Sequence, residues 1–252
     1  MKRTVVVPDL QVPLHDPVAV SNVAAYIKAV RPDSVVTLGD EADFTEIGRW
    51  SEGKPGWYEQ TLAENRDMTV DILWRLGEHA KEQHMIRSNH TDRLFNVIMN
   101  KIPSFLSLPE LKFEKFMKLD ELGITYHKKP YAIAKGIVAV HGDEQSVKPT
   151  PGLTALEAAR RHGISVICGH THRAGQSAFT EASGGRIGRI LRGWEAGHLM
   201  DVRQAHYTKG TMNWQQAFII IEEIATNVQV SIINLEKDGT FIVSGKRYGR
   251  SR

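Results

Sequence analysis

Val35-Val36-Thr37-Leu38-Gly39-Asp40-Glu41-Ala42-Asp43 is the stretch whose reading decides the fold. Its opening run of apolar and β-branched residues reads as a buried strand of a parallel sheet. Gly39 ends the run and, lacking a Cβ, lets the chain turn sharply. Asp40 therefore projects from the carboxyl end of the strand, the edge where ligands collect in open α/β sheets. One Gly-Asp after a strand reads as an Asx turn. Here four further apolar runs end in Asp, Asn or His: Val5-Val6-Val7-Pro8-Asp9, Met85-Ile86-Arg87-Ser88-Asn89-His90, Ile137-Val138-Ala139-Val140-His141 and Ser165-Val166-Ile167-Cys168-Gly169-His170. Five such strand ends point to one shared edge rather than five unrelated turns.

Outward from that stretch, residues 4–8 read as the first strand, and Asp16-Pro17 opens a helix as N-cap and first-turn residue. Val20, Val23, Ala24, Ile27 and Val30 continue it at helical spacing, and the strand at 34–38 completes a βαβ unit. His15 is expected as a loop residue on the same edge. Residues 44–60 form an aromatic-rich loop with Phe44, Trp50, Trp57 and Tyr58, read either as a mini-core beneath the loop or as a pocket wall. A helix is expected over 61–82, a strand over 84–88, and a helix capped by Thr91-Asp92. Residues 101–120, with Phe113, Phe116 and Met117, read as a helical insertion over the active edge, its aromatics serving core packing. Strands follow at 124–127, 131–134 and 137–140, the last two joined at Lys135-Gly136. A helix at 153–162, a strand at 165–168 and strand-like runs at 176–180, 186–191, 214–222 and 227–234 complete the chain. No repeat or linker divides it, so residues 1–252 read as a single domain with a β-rich C-terminal part.

The composition is that of an ordinary globular protein, 41% hydrophobic and 24% charged. A net charge of +3 excludes a polyanion-coating protein. The basic tail Lys246-Arg247-Tyr248-Gly249-Arg250-Ser251-Arg252 reads as a frayed, solvated end. The one cysteine, Cys168, excludes an internal disulfide and reads as a small buried hydrophobe. Lys2-Arg3 before three valines resembles a signal-peptide start, but Pro8-Asp9 ends the run too early. No stretch approaches the roughly 20 apolar residues of a membrane span. A soluble protein in a reducing cytoplasm, with no membrane partner, is expected.

Asp9, Asp40, Asn89, His141, His170 and His172 are oxygen and imidazole donors, suited to Mn²⁺, Fe²⁺ or Zn²⁺ rather than Ca²⁺. His170-Thr171-His172 alone would be weak; placed with Asp9-Leu10-Gln11, Gly39-Asp40-Glu41-Ala42-Asp43 and Asn89-His90 at strand ends, it is strong. These blocks resemble those of the calcineurin-like metallophosphoesterase superfamily: D-x-H, G-D-x-x-D, G-N-H-D/E, an isolated H and G-H-x-H, in that order. The resemblance spans residues 5–173. It implies a four-layer α/β/β/α sandwich, with the β-rich remainder suited to the second sheet. It also implies two divalent metal ions, Mn²⁺ foremost with Fe, Zn or Ni as alternatives. One would be held by Asp9, Gln11, Asp40 and His172, the other by Asp40, Asn89, His141 and His170, with a bridging hydroxide as nucleophile.

Two positions depart from the pattern: Gln11 replaces histidine and Ser88 replaces glycine. An amide is a weaker donor than imidazole, so the first site is expected to be softer. The Asp-x-Gln form resembles metallophosphoesterases of phage and prophage origin, which implies a phage-encoded or bacterial-host protein. Phe44-Thr45 stands where the protein-phosphatase branch carries Arg-Gly, which argues against that branch. On the resemblance, His90 stabilises the transition state or protonates the leaving oxygen. Arg87 either forks onto a phosphate oxygen or forms a salt bridge at the sheet edge. The function expected is hydrolysis of a phosphodiester partner, a cyclic or small nucleotide or a single nucleic-acid strand, its base stacked on the aromatics of 44–58 and 101–120. A phosphomonoesterase, or a binding protein that has lost turnover through Gln11, are the rival readings; protein partners stay open.

Overall fold

The computed structural model describes residues 1–47, 61–205 and 212–250. The motif-bearing strands fall into two sheets. The first has six strands in the order β11-β10-β1-β2-β3-β4. Its members are β1 (Lys2–Val7), β2 (Ser34–Thr37), β3 (Glu82–Ile86), β4 (Ile124–His127), β10 (Ala217–Ile224) and β11 (Asn227–Asn234). The run β1-β2-β3-β4 is parallel, so Asp9, Asp40 and Asn89 leave one edge together. The second sheet, β5-β6-β7-β9-β8, contains β5 (Tyr131–Ala134), β6 (Ile137–Val140), β7 (Ser165–Cys168), β8 (Ala174–Ser183) and β9 (Arg186–Ala196). Strands β6 and β7 are parallel and deliver His141 and His170.

Alternating side chains make the layers, because successive residues of a strand face opposite sides of its sheet. Val6, Val36, Leu38, Ile86, Ile219 and Ile221 of the first sheet meet Ile137, Ala139, Ile167 and Trp194 of the second in a dry middle layer. Val5, Val7, Val35, Phe218 and Ile220 face the other way, onto α1 (Pro17–Val30) and α2 (Leu62–Gly77). Val140, Val166, Cys168 and Leu191 pack under α5 (Leu153–His162). The expected α/β/β/α sandwich is thus present, and Cys168 is a buried core residue. Asp16 caps α1, accepting from the Val18 and Ala19 N–H groups, and Thr61 with Glu64 closes a capping box on α2.

Several boundaries differ from the sequence reading. Helix α2 stops at Gly77 and β3 begins at Glu82; the Gln83 amide donates to the Leu73 carbonyl and packs against Gly77, where a Cβ would sit 1.8 Å from Gln83 Oε1. The β-rich remainder does not form the second sheet alone. Only β8 and β9 join it, while β10 and β11 extend the first sheet antiparallel to β1. The insertion is two 3-10 turns, Pro103–Ser107 and Pro109–Leu111, and the single turn α4 (Phe113–Phe116), preceded by α3 (Thr91–Lys101). Phe113, Phe116, Met117 and Leu119 pack with Phe44, Leu73 and Met85, so these aromatics fill a core. Trp50, Trp57 and Tyr58 lie outside the described residues. Among the described residues no helix is long and apolar enough to cross a membrane.

As far as Arg250 the basic tail is ordered rather than frayed. A hairpin of β12 (Phe241–Val243) and β13 (Lys246–Tyr248) folds back on the first sheet, and Asn22 holds the backbone of Gly239 and Arg250. Phe241 is buried against Tyr26, Phe218 and Tyr248, with ring centroids 5.0–5.9 Å apart. Phe241→Ala should therefore destabilise the fold by about 3–5 kcal/mol. Urea unfolding measures this, and a loss below about 1 kcal/mol, the scale of an ordinary surface change, would remove the hairpin from the core.

Candidate metal centre

Five of the seven predicted ligands have left-handed backbone: Asp9 (φ 27°), Gln11 (53°), Asp40 (54°), His170 (64°) and His172 (56°). Such conformations are costly for residues other than glycine and persist only where their surroundings impose them. Here hydrogen bonds do so. The Asp40 N–H donates to Ser88 Oγ at 2.9 Å, and the Gln11 N–H donates to the Asp40 carbonyl at 2.8 Å. Both carboxylate oxygens of Asp9 accept from the His170 N–H at 3.0 and 3.1 Å. Buried Glu195 accepts from Thr171 Oγ1 and the Thr154 N–H, both at 2.9 Å, and so ties the loop carrying both histidines to α5. Two glycines make room. A Cβ on Gly39 (φ 95°) would sit 2.4 Å from Ser88 Cβ, and one on Gly169 2.4 Å from Asp9 Oδ2.

These turns bring two triads together: Asp40 with His141 and His170, and Asp9 with Asp40 and His172, each set of ligand atoms within 4.8 Å. Asp40 belongs to both. Around His141 the donors are ordered by hydrogen bonding. Its Nδ1–H donates to the Leu38 carbonyl at 2.7 Å, a group that can only accept. Nε2 then faces Asn89 Oδ1 at 2.9 Å and Asp40 Oδ1 at 3.3 Å. Two oxygen atoms and an imidazole nitrogen converge on one point, an arrangement that suits a cation, either a proton or a metal. Burial alone would lower the His141 pKa, but the Asp40 and Asp9 carboxylates raise it to about 10. Burial likewise opposes ionisation of Asp40, yet His141 and His90 hold it well below the usual carboxylate range. The residues present fit a divalent cation in each triad.

Gln11 is in the site but presents its nitrogen. Nε2 donates to Asp40 Oδ2 at 3.0 Å and lies 3.4 Å from His172 Nε2, while Oε1 is buried without a partner. Its Asp40 contact occupies a carboxylate oxygen that a cation would use. His90 is 8% exposed, with Nε2 3.6 Å from Asp40 Oδ2 and Nδ1 3.4 Å from Asp43 Oδ1. Arg93 donates to His90 Nε2 and to the Asp43 carbonyl. Burial lowers the His90 pKa; Asp40 and Asp43 oppose this and Arg93 adds to it, with the net shift downward. Arg87 is not a free fork. Its donors are engaged by Asp92 and by both oxygens of Asp143, so the salt-bridge reading is the one the geometry shows. His15 pairs with Met200 at a backbone bridge and lies in neither triad.

Several participants escaped the sequence reading. Asp43 had a signal, since it stands three residues after Asp40 within the same loop. Arg93 follows His90 by one helical turn, a spacing that places side chains together once α3 is known to start there. Glu195 and Trp214 had none: both lie in the β-rich part, and only the tertiary fold brings Trp214 edge-on to the His172 ring, centroids 4.4 Å apart.

No family model matches the chain. It is 30% identical over 250 residues to Gene 54 protein of Mycobacterium phage D29, covering 97% of each. It is also 30% identical over 253 residues to Gene 54 protein of Mycobacterium phage L5, covering 97% of this chain and 98% of that one. Among solved structures, Vacuolar Protein Sorting 29 from Cryptosporidium parvum matches with a TM-score of 0.51 at 13% identity, covering 99% of this chain and 98% of that one. The fold is that of the calcineurin-like metallophosphoesterases.

Two outcomes follow from this geometry. A metal entering the His141 cluster must displace its proton, so Mn²⁺ affinity should rise with pH below about 10. The slope should be about one decade per pH unit for each proton released. Calorimetric titration at several pH values reads this directly, and a flat profile would contradict it. Gln11→His replaces an amide with an imidazole beside Asp9, Asp40 and His172, and should tighten the weaker Mn²⁺ binding step. Unchanged or weakened binding would show that Gln11 does not limit that site.

Proposed function

We propose that this chain, which belongs to the family of the Gene 54 proteins of mycobacteriophages D29 and L5, is a metal-dependent phosphodiesterase. The observation carrying this reading is the pair of ligand triads sharing Asp40 at the common edge of two sheets. Two divalent cations, Mn²⁺ or Fe, Zn or Ni, would be held by Asp9, Gln11, Asp40 and His172, and by Asp40, Asn89, His141 and His170. When bound, such ions polarise a phosphoryl group and lower the pKa of water.

The protein's own groups complete the site. Asp40 holds the two clusters at fixed separation, because its backbone is locked by Ser88 and its carboxylate faces His141, His90 and Gln11. Asp43 and Arg93 fix the ring of His90 beside Asp40. Burial and Arg93 lower the pKa of that ring, and its Nε2 accepts from Arg93, so the His90–Arg93 pair would stabilise the transition state as it stands. Protonating the leaving oxygen would first require Nε2 to part from Arg93 and take up a proton. Arg93 supplies a cation next to that nitrogen, suited to a phosphate oxygen. A diester is favoured over a monoester by charge. A monoester brings a second negative charge, and the other arginine near the site, Arg87, is already neutralised by Asp92 and Asp143. Trp214 beside His172 offers an apolar face for a base.

The rival reading, a metal-binding protein without turnover, is favoured by one contact, the hydrogen bond of Gln11 to Asp40. Turnover separates the two. With Mn²⁺ supplied, an aryl phosphodiester, a 2′,3′-cyclic nucleotide and a single-stranded oligonucleotide should each be hydrolysed with a higher kcat/KM than an aryl phosphomonoester. A monoester preferred by about tenfold, some 1.4 kcal/mol in the barrier, would make this a phosphatase. Metal uptake with no turnover would establish the binding reading. His90→Ala should keep Mn²⁺ affinity and lose about 10²–10⁴ in kcat. Parallel loss of metal would instead make His90 a ligand.

A further inference from the structure

A cleft of about 400 Å³ opens beside the metal centre, with the ligand His141 in its lining. That volume is within the range of small-molecule sites, roughly 300–1,000 Å³. Lys128 and Lys129, from the turn between β4 and β5, form one wall, and Arg161 and His162, at the end of α5, form another. Gln145 lines it from the loop after His141.

The charges here are not all neutralised. Arg87 pairs with Asp92 and Asp143, Lys128 with Glu114 at 2.7 Å, and His162 lies 3.6 Å from Glu144. Lys129 and Arg161 are exposed and have no carboxylate partner among the described residues. Gln145 is 8% exposed, and its Oε1 is buried without a hydrogen-bond partner. A buried acceptor lacking a donor is costly, and because Gln145 lines the cleft, a turn of its amide would bring Oε1 to a ligand donor. Two uncommitted cations and one orphaned acceptor match a phosphate together with a hydroxyl or amino group.

We propose that this cleft seats the neighbouring nucleotide of an oligonucleotide whose scissile phosphodiester lies at the metal centre. Lys129 and Arg161 take that nucleotide's phosphate, and Gln145 Oε1 accepts from its sugar hydroxyl or base N–H. This rests on the phosphodiesterase reading. A cleft of about 400 Å³ lined by His141 has the volume for a nucleoside as well as a phosphate, which favours an oligonucleotide over a nucleoside polyphosphate, whose phosphates are directly linked.

The test compares the full-length protein with Lys129→Ala/Arg161→Ala and with Gln145→Leu. In Mn²⁺, the ratio of kcat/KM for a short single-stranded oligonucleotide to that for an aryl phosphodiester should fall about tenfold in the double variant. Independently of turnover, fluorescence anisotropy should show weaker binding of a labelled oligonucleotide to the metal-free double variant, its log–log salt slope shallower by about 0.7 per cation removed. Gln145→Leu should weaken the same binding and leave the salt slope in place. Equal losses on both substrates, or wild-type binding by the double variant, would overturn the proposal. Displacement of the labelled strand by a nucleoside diphosphate at lower concentration than by an unlabelled oligonucleotide would overturn it too. If the wild type hydrolyses no diester, the phosphodiesterase reading fails, and the anisotropy still decides the cleft.

Discussion

The structure depends on one buried carboxylate. Asp40 is 2% exposed, yet it stands among His141, His90 and the amide of Gln11, with the fully buried Asp9 nearby. Burying charge is expensive unless it is paired. In this protein the pairing is between carboxylates and imidazoles, which is why the His141 pKa climbs to about 10 while that of Asp40 falls. A divalent cation in each cluster would satisfy the same carboxylates with the histidines neutral. The left-handed backbone at five of these residues is a second sign that local stability is given up here for a fixed arrangement of donors.

The two sheets exist, in this view, to hold that arrangement. Parallel pairing of β1 to β4, and of β6 with β7, sends every predicted ligand to one edge. The dry layer between Val36, Leu38, Ile137 and Ile167 locks the two halves of the site at fixed distance. Ser88 shows how a departure from the family pattern is absorbed. Its hydroxyl accepts the Asp40 N–H, and Gly39 leaves the space its Cβ needs. Gln11 is the departure that is not absorbed, since its amide presents nitrogen where the pattern has an imidazole donor.

Much of this was legible in the sequence, for physical reasons. Buried parallel strands are nearly continuous apolar runs, so their ends are visible, and β4, β5, β6, β7, β11 and α5 fall on the expected residues. What stayed hidden was long-range pairing. The runs at 214–222 and 227–234 read as strands, but nothing local says that they extend the first sheet beside β1. The β12–β13 hairpin was masked by its own charge, because Lys246 and Arg247 drew attention from Phe241 and Tyr248. Arg87 had two partners in reach of the reading, and its choice of Asp92 and Asp143 depends on α3 and the loop after β6 meeting at the edge.

We propose that two metal ions share Asp40. Anomalous diffraction from crystals soaked in Mn²⁺ addresses it most directly. Two peaks are expected, one against Asp9, Asp40 and His172 and one against Asp40, His141 and His170, with the Asp40 carboxylate between them. A single peak, or peaks that leave Asp40 uncoordinated, would contradict the account.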